Sequence, residues 1–539
     1  MAQVERRELP VLQGEAPPQV YEGPATPSAP PTESWSPGPR PPAPTLPQTA
    51  GAAQGEGALP PEFWRALDGS ALTRLLAQVP IPSASPALAS LLARALATNP
   101  EGAGSETSVR VAALERAGRV NELIEMLQSP AQANEPGTLA PYALALLAAG
   151  RTEDACAVQL GTAQQADSSS KRATFLVPVY CAAASGDKEG ARLALNLARD
   201  NGLDVALAAG SIEGRAARSV GPPKGIDVLD YLFLKLGQAA NRPDIAAKAS
   251  PELLFLLTQD DEAGPELRLA AAERAASLNV IDGEALASVY RDAAAKLPKS
   301  AQSPAALRAK LFAALEGQTS EKIRADSIDA LLASGKGARI EIPMAQAMAQ
   351  ASDGLRQDMQ APSFAEIGVR VAALAGDDQT AWDLTESAGD HVRSWQLLLV
   401  TTDPMSEHAR TALESGVDIA LKAGLPGPVL QRLVTVLDAL GEEVPIPLWE
   451  LAAKTPQPDD GYLPATGLLS TLKEAADAGQ IGRTVLLAAS VFGPDGPQGA
   501  HLIALGDGLR ALKRVGLDAE ARRLAFEALY AHWPSHGKG

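Results

Sequence analysis

Five segments of this chain share one pattern, and it limits the folds open to them. In each, an apolar run with helical character ends at a glycine, and a small or apolar residue follows five positions later inside a second amphipathic run. The pairs are Gly118 with Leu123, Gly150 with Ala155, Gly186 with Ala191, Gly376 with Ala381, and Gly516 with Ala521. LERAGRVNELIEML, LLAAGRTEDACAVQL and AAASGDKEGARLAL show the pattern most clearly. A glycine enters left-handed backbone without a Cβ penalty and so stops a helix. The small residue lets the next helix lie close against the first. Each segment therefore reads as a tight helical hairpin with a hairpin-turn glycine in a structural role. The spacings from Gly118 to Gly150 and from Gly150 to Gly186 bracket the roughly 34-residue period of tetratricopeptide repeats. The aromatic positions of that repeat are mostly Ala or Leu here. The expected fold is all-α: a degenerate tetratricopeptide-like α-solenoid of stacked helical hairpins.

Composition agrees. Hydrophobic residues make up 46% of the 539 residues but aromatics only 4%, so Ala and Leu supply most of the apolar content. These are strong helix formers, whereas strands favour β-branched and aromatic residues. The net charge of −17 repels phosphate backbones and anionic lipid, which argues against nucleic acid as a partner. No run reaches the roughly 18–20 apolar residues of a transmembrane segment. The most apolar stretch, from Leu139 to Ala149, reads as a buried helix.

Thirteen prolines fall within the first fifty residues, mixed with Gly, Ser, Thr and Ala. Residues 1–56 are therefore expected to form a disordered Pro-rich leader with polyproline-II character. Its Pro37–Pro47 stretch matches Pro-rich ligand patterns, which such tethers do by chance. Three helical blocks are expected to follow, at residues 57–209, 226–340 and 362–534. The stretch from Gly210 to Gly225 reads as a loop or hinge, the stretch from Leu297 to Pro304 as a break, and that from Glu341 to Ser363 as irregular.

Cys156 and Cys181 are the only cysteines. Cys156 lies on the second helix of one hairpin and Cys181 on the first helix of the next, with the polar stretch from Ala166 to Ser170 as the join. The midpoint between them falls in that join, so the two sulfurs can sit at the same height of an antiparallel pair. A disulfide there closes a loop worth roughly 3–4 kcal/mol in the chain-entropy model. Two buried free thiols packing as small apolar groups are the alternative.

Motifs that carry chemistry are missing. The histidines, His391, His408, His501, His532 and His536, form no H-E-x-x-H, and Pro534 breaks any helix that would align His532 with His536. Gly335-Lys336-Gly337 reads as a loop without a phosphate-binding frame. Ser168-Ser169-Ser170-Lys171 matches S-x-x-K in a polar turn, without its partner motifs. The acid pairs Asp260-Asp261, Asp377-Asp378 and Asp459-Asp460 read as solvated helix caps or turns. Glu414-Ser415, set against the Glu-Ser of helical lytic transglycosylases, lacks the continuation of their catalytic domain. Trp382 is expected to pack within a hairpin, and Trp35 lies in the leader. No catalytic, cofactor-binding or metal-ligating residue is assigned.

VPIPSASPALASLLARAL (Val79 to Leu96), the cysteine pair with YCAAASGDKEGARLAL, RLAAAERAASL (Arg268 to Leu278) with LASVYRDA, and FAEIGVRVAALAGDDQTAWDL (Phe364 to Leu384) together resemble a group of uncharacterised alphaproteobacterial proteins. The resemblance spans most of residues 60–390. It implies exported, Ala-rich helical-repeat proteins that keep both cysteines. Some members carry antifreeze-like names that reflect alanine richness; no regular Thr array of the kind ice binding needs is visible here. The resemblance implies no activity and no site residues.

Met1 to Pro10 is charged and has no apolar signal core, yet Met1-Ala2-Gln3 reads like the small-residue end of a cleaved signal followed by a mature Gln. The expected function is a non-catalytic scaffold or adaptor that binds a protein partner in the bacterial cell envelope, in the periplasm, without a cofactor. A cytoplasmic regulatory adaptor is the first alternative. An enzyme acting on cell-wall polymer is the second, and it would require a pocket lined by perturbed carboxylates.

Overall fold

Short helices succeed one another along the chain, and the residues that stop them set the architecture. The computed structural model describes residues 59–65, 67–98, 107–128, 137–160, 168–214, 225–242, 244–317, 320–349, 364–386, 390–402 and 406–534. The expected leader, Trp35, the Pro37–Pro47 stretch and His536 lie outside these residues. The described residues are helical and carry no strand; two isolated bridges, Ile226 with Ala249 and Tyr462 with Ala500, are the extent of extended pairing among them. The chain is all-α.

The hairpin turns show how sequence becomes local structure. Gly118, Gly150, Gly186, Gly376 and Gly516 all have left-handed backbone, with φ from +68° to +87°. At Gly118 the N–H of Arg119 reaches back to the carbonyl of Leu114 at 3.0 Å, which satisfies an orphan carbonyl of the ending helix. The residue five positions on is buried in every case: Leu123, Ala155, Ala191, Ala381 and Ala521. Consecutive helices then pack on one another. Examples are Pro251–Gln259 on Pro265–Ser277, Ser168–Ala184 on Lys188–Asp200, Ala365–Ala375 on Asp378–Glu386, and Leu502–Arg514 on Asp518–Tyr530. Alanines such as Ala271, Ala272, Ala275 and Ala276 are buried at these contacts and permit the close approach. This packing is compatible with a solenoid.

The described residues all fall within one compact unit. Helices distant in sequence also pack together: Pro251–Gln259 touches Thr107–Ala117 and Leu139–Ala148. Glu341–Ala349 packs on Ala365–Ala375. The path also returns to its start. The short turn Pro61–Trp64 and the helix Gly69–Leu76 pack on Ile481–Phe492, and Pro86–Ala97 packs on Asp518–Tyr530. The approach is tight at Gly482, where an added Cβ would lie 2.7 Å from the Phe63 carbonyl oxygen.

Several local expectations need correction. The stretch from Glu341 is not irregular at its start: Glu341–Ala349 is a helix, because Pro343 lies in its first turn, where no N–H partner is required. Gly335-Lys336-Gly337 is the closing turn of the helix Glu321–Gly337 and not a loop. Ser168, Ser169 and Ser170 open the helix Ser168–Ala184, and Gly210 lies within the helix Ala206–Ile212.

Cys156 and Cys181 form a disulfide, with Cα atoms 5.7 Å apart. It ties the six-residue helix Thr152–Ala157 to the long helix that follows. No helix among the described residues is long and apolar enough to cross a membrane.

Candidate functional site

The most developed site lies where the chain closes on itself. Ser85 caps the helix Pro86–Ala97, its hydroxyl accepting from the N–H of Leu88 at 3.1 Å. The same hydroxyl donates to Glu527 Oε2 on the last helix, and Glu527 Oε1 accepts the Ala87 N–H at 2.9 Å. One side chain from the C-terminal helix thus completes the N-terminus of a helix more than four hundred positions earlier. Burial pushes the Glu527 carboxyl above its ordinary range; the Ser85 hydroxyl, the Ala87 N–H and nearby Arg523 pull it back only in part. Arg94 and Glu520 make a second tie across the seam at 2.9 Å.

Beside this seam is a cleft of about 620 Å³. Three stretches wall it: residues 82–86 from the first part of the chain, residues 277–279 with 336–343 from the middle, and residues 494–499 with 527–531 from the end. Its base is a polar network. Tyr530 donates its hydroxyl to Glu341 Oε1 at 2.5 Å and accepts from Arg370 Nε at 3.0 Å, while Arg370 Nη2 donates to the same Glu341 oxygen at 2.5 Å. Burial, reinforced by the Glu341 charge, pushes the Tyr530 hydroxyl well above the usual tyrosine range, so it stays protonated as a donor. A smaller cavity of about 320 Å³, bordered by Arg94, Glu520 and Arg523, shares Pro86, Ile342 and Glu527 with the cleft.

Two backbone features of the cleft stand apart from the other helix ends. Three non-glycine residues among those described have left-handed backbone, and two of them, Asn279 (φ +56°) and Arg339 (φ +58°), line this cleft. Both occupy the position that Gly118 and Gly150 hold at other helix ends, and a residue with a Cβ costs about 1–2 kcal/mol there. Asn tolerates this conformation, and Asn279 has a local role, donating its side-chain N–H to the Ser83 carbonyl at 2.8 Å across the seam. Arg339 has no comparable role. Its exposed guanidinium, and the ammonium of Lys336 one turn earlier, have no ion-pair or hydrogen-bond partner among the described residues. Gln498 adds a third unsatisfied group: its side-chain carbonyl oxygen is buried without a donor, which costs about 1–3 kcal/mol. The charged groups at the base are neutralised internally, whereas Lys336 and Arg339 are available to something from outside.

A second cavity, of about 570 Å³, is lined by Gly150, Thr152, Tyr180, Lys235 and Asp260 among others. Its polar groups satisfy one another. Tyr231 donates to Asp260 at 2.7 Å, and Lys235 bonds Asp260 at 3.0 Å and Glu262 at 2.8 Å. Burial alone would raise the Asp260 carboxyl; the Tyr231 and Lys235 bonds outweigh it and hold the group below its ordinary range. Asp260 is therefore not the solvated cap expected from sequence but a buried anion with built partners.

The other residues singled out from sequence do not converge. Among the described residues no group of three His, Cys, Asp or Glu side chains is placed to hold a metal. His408 stacks on buried Trp382 with ring centroids 5.8 Å apart. His532 lies 3.0 Å from the Gln498 carbonyl, and His501 caps the helix Leu502–Arg514. Lys171 of the S-x-x-K match donates to the Asn201 carbonyl. Sequence reasoning missed Ser85, Glu527, Asn279 and Arg339. Seam contacts leave no local signal, but Asn279 and Arg339 did offer one: each stands at a helix end where glycine is the usual residue.

Compared with known proteins, the chain matches no family model, no curated protein and no solved structure.

Proposed function

We propose that this protein is a non-catalytic helical scaffold that binds a protein partner in the cell envelope, with the cleft at the closure seam as its recognition surface. The observation that carries this reading is the pair of unpartnered cations, Lys336 and Arg339, on the wall of a preformed cleft whose buried acids, Glu341 and Glu527, are already engaged. A preformed concave site with a few unsatisfied polar groups is the usual form of a binding site. The disulfide supports an oxidising compartment, since such bonds persist outside the reducing cytosol.

A specific observation favours a second reading, an enzyme acting on cell-wall polymer: Glu527 borders the cleft with a raised carboxyl. Hydrolysis of that kind needs a carboxyl free to protonate a leaving group and a second carboxylate facing it. Both oxygens of Glu527 are engaged by Ser85 and Ala87, and Glu341 is engaged by Arg370 and Tyr530, which suits a structural clasp better.

The test is photo-cross-linking in cells, with the reactive side chain placed at Asp495 on the cleft wall or, as a control, at exposed Leu193. A discrete protein adduct from position 495, absent from position 193, supports the scaffold. Adducts equal at both positions, or absent from both, would overturn it. Labelling of thiols in the same cells separates the compartments: a blocked pair fits the envelope, and two free thiols fit the cytoplasm.

A further inference from the structure

The two helices joined by the disulfide are held very unequally. Cys181 lies in the 17-residue helix Ser168–Ala184 and is partly buried against the core. Cys156 is exposed, on the six-residue helix Thr152–Ala157, whose one buried residue is Ala155. A helix of that length does not persist on its own backbone bonds. Two ties fix it to the longer helix. Thr152, its first residue, is hydrogen-bonded to the Tyr180 hydroxyl, and Cys156, one turn later, is bonded to Cys181. Thr152 and Tyr180 both line the cavity of about 570 Å³, with Leu147, Leu232, Lys235 and Asp260. Tyr180 is only 8% exposed and meets the Phe233 ring edge-on, so its own place in that wall is fixed by packing. Thr152 is held there by its short helix, and that helix by the disulfide. The exposure of Cys156 matters because a disulfide exchanges when a thiolate reaches one of its sulfurs, and exposed disulfides are the labile ones.

We propose that Cys156–Cys181 is a reversible redox latch on this cavity, opened in the folded protein by a dithiol. A thiolate of the dithiol attacks the Cys156 sulfur; the Cys156–Cys181 bond breaks, and Cys181 leaves as a thiolate that takes up a proton. The second thiol then attacks the dithiol's own sulfur in the mixed disulfide and releases Cys156, which is protonated in turn. Two electrons pass to the cystine, and the dithiol departs as its internal disulfide. With the latch open the short helix unwinds, Thr152 leaves Tyr180, and the cavity loses that wall. The inference goes beyond the scaffold reading and does not rest on it.

The test uses the purified full chain without denaturant, dithiothreitol as the dithiol, and iodoacetamide to block the thiols afterwards. Mass spectrometry is expected to find both cysteines alkylated. In that form, hydrogen exchange across Thr152–Ala157 is expected to be at least about tenfold faster, well within what loss of a disulfide closing a loop of this length allows. Hydroxyl-radical labelling of Tyr180 is expected to rise, and exchange in distant Leu502–Arg514 to stay unchanged. Reoxidation before blocking is expected to restore the slow exchange. A Cys156→Ser, Cys181→Ser double variant is expected to show the open behaviour with or without dithiothreitol. Cysteines that are reduced only in denaturant would overturn the latch, as would unchanged exchange in Thr152–Ala157. A rise in exchange throughout the reduced protein would overturn it as well, since the bond would then be a staple of the whole fold. Tyr180 still protected in either open form would show that the cavity stays closed and would equally overturn the proposal.

Discussion

Ser85 and Glu527, 442 positions apart in sequence, share a hydrogen bond that joins the N-terminus of an early helix to the last helix of the chain. Because burial raises the Glu527 carboxyl above the ordinary 4.5, its ionised form is disfavoured in the folded state. Below 4.5 the group is protonated both folded and unfolded, and it imposes no charge penalty. As pH rises from 4.5 through the raised folded value, the unfolded chain releases its proton first, and stability falls. Glu527→Gln, which cannot ionise, is therefore expected to gain relative to the unaltered protein across that window. Urea unfolding at a series of pH values checks the direction.

Arg339 gives a prediction of opposite character to that of most substitutions. Arg339→Gly is expected to stabilise the fold by about 1 kcal/mol, because glycine relieves the left-handed strain and the guanidinium has no partner to lose. Asn279→Gly relieves the same strain but gives up the bond to the Ser83 carbonyl and is expected to be neutral or destabilising. Denaturation midpoints of the two variants, compared side by side, distinguish them.

Gly118 and Gly150 look alike in sequence and differ in space. An added Cβ at Gly118 would lie 2.7 Å from Pro251 Cβ, whereas at Gly150 it would meet nothing within 4 Å. Gly150→Ala is expected to cost about 1 kcal/mol, the conformational penalty alone. Gly118→Ala is expected to cost about 3 kcal/mol, since overpacking adds to it. Thermal unfolding of both variants measures the gap.

Removing the disulfide is expected to cost about 3.5 kcal/mol from the loop it closes. The loss should concentrate on the helix Thr152–Ala157, which is six residues long and too short to persist without its tie. A Cys156→Ser, Cys181→Ser double variant followed by limited proteolysis reports on both points, with new cleavage expected between residues 150 and 170.

The hairpins were legible because their signals are local: a glycine that ends a helix and a small residue one turn into the next stand within six positions of each other. The cysteine pair was half legible, since equal distance from a turn allows a bond but helix rotation decides it. Pro343 misled because a proline in the first turn of a helix resembles a proline that breaks one. The seam was not legible at all: nothing near Ser85 indicates that its partner is Glu527, and contacts of that separation depend on the packing of all the helices in between. Arg339 lies between these cases, its unusual conformation inferable only once the end of its helix is known.

Hydrogen exchange in Glu527→Ala tests the closure most directly, since the cleft exists only if the first and last helices hold each other. The substitution leaves the Ser85 hydroxyl and the Ala87 N–H without their acceptor, a cost of about 3 kcal/mol. The expected result is faster exchange in Pro86–Ala97 and Asp518–Tyr530, with Lys188–Asp200 unchanged as the distant control. Unaltered protection in both seam helices, or a uniform rise across all three, would contradict the closed arrangement and the binding site built on it.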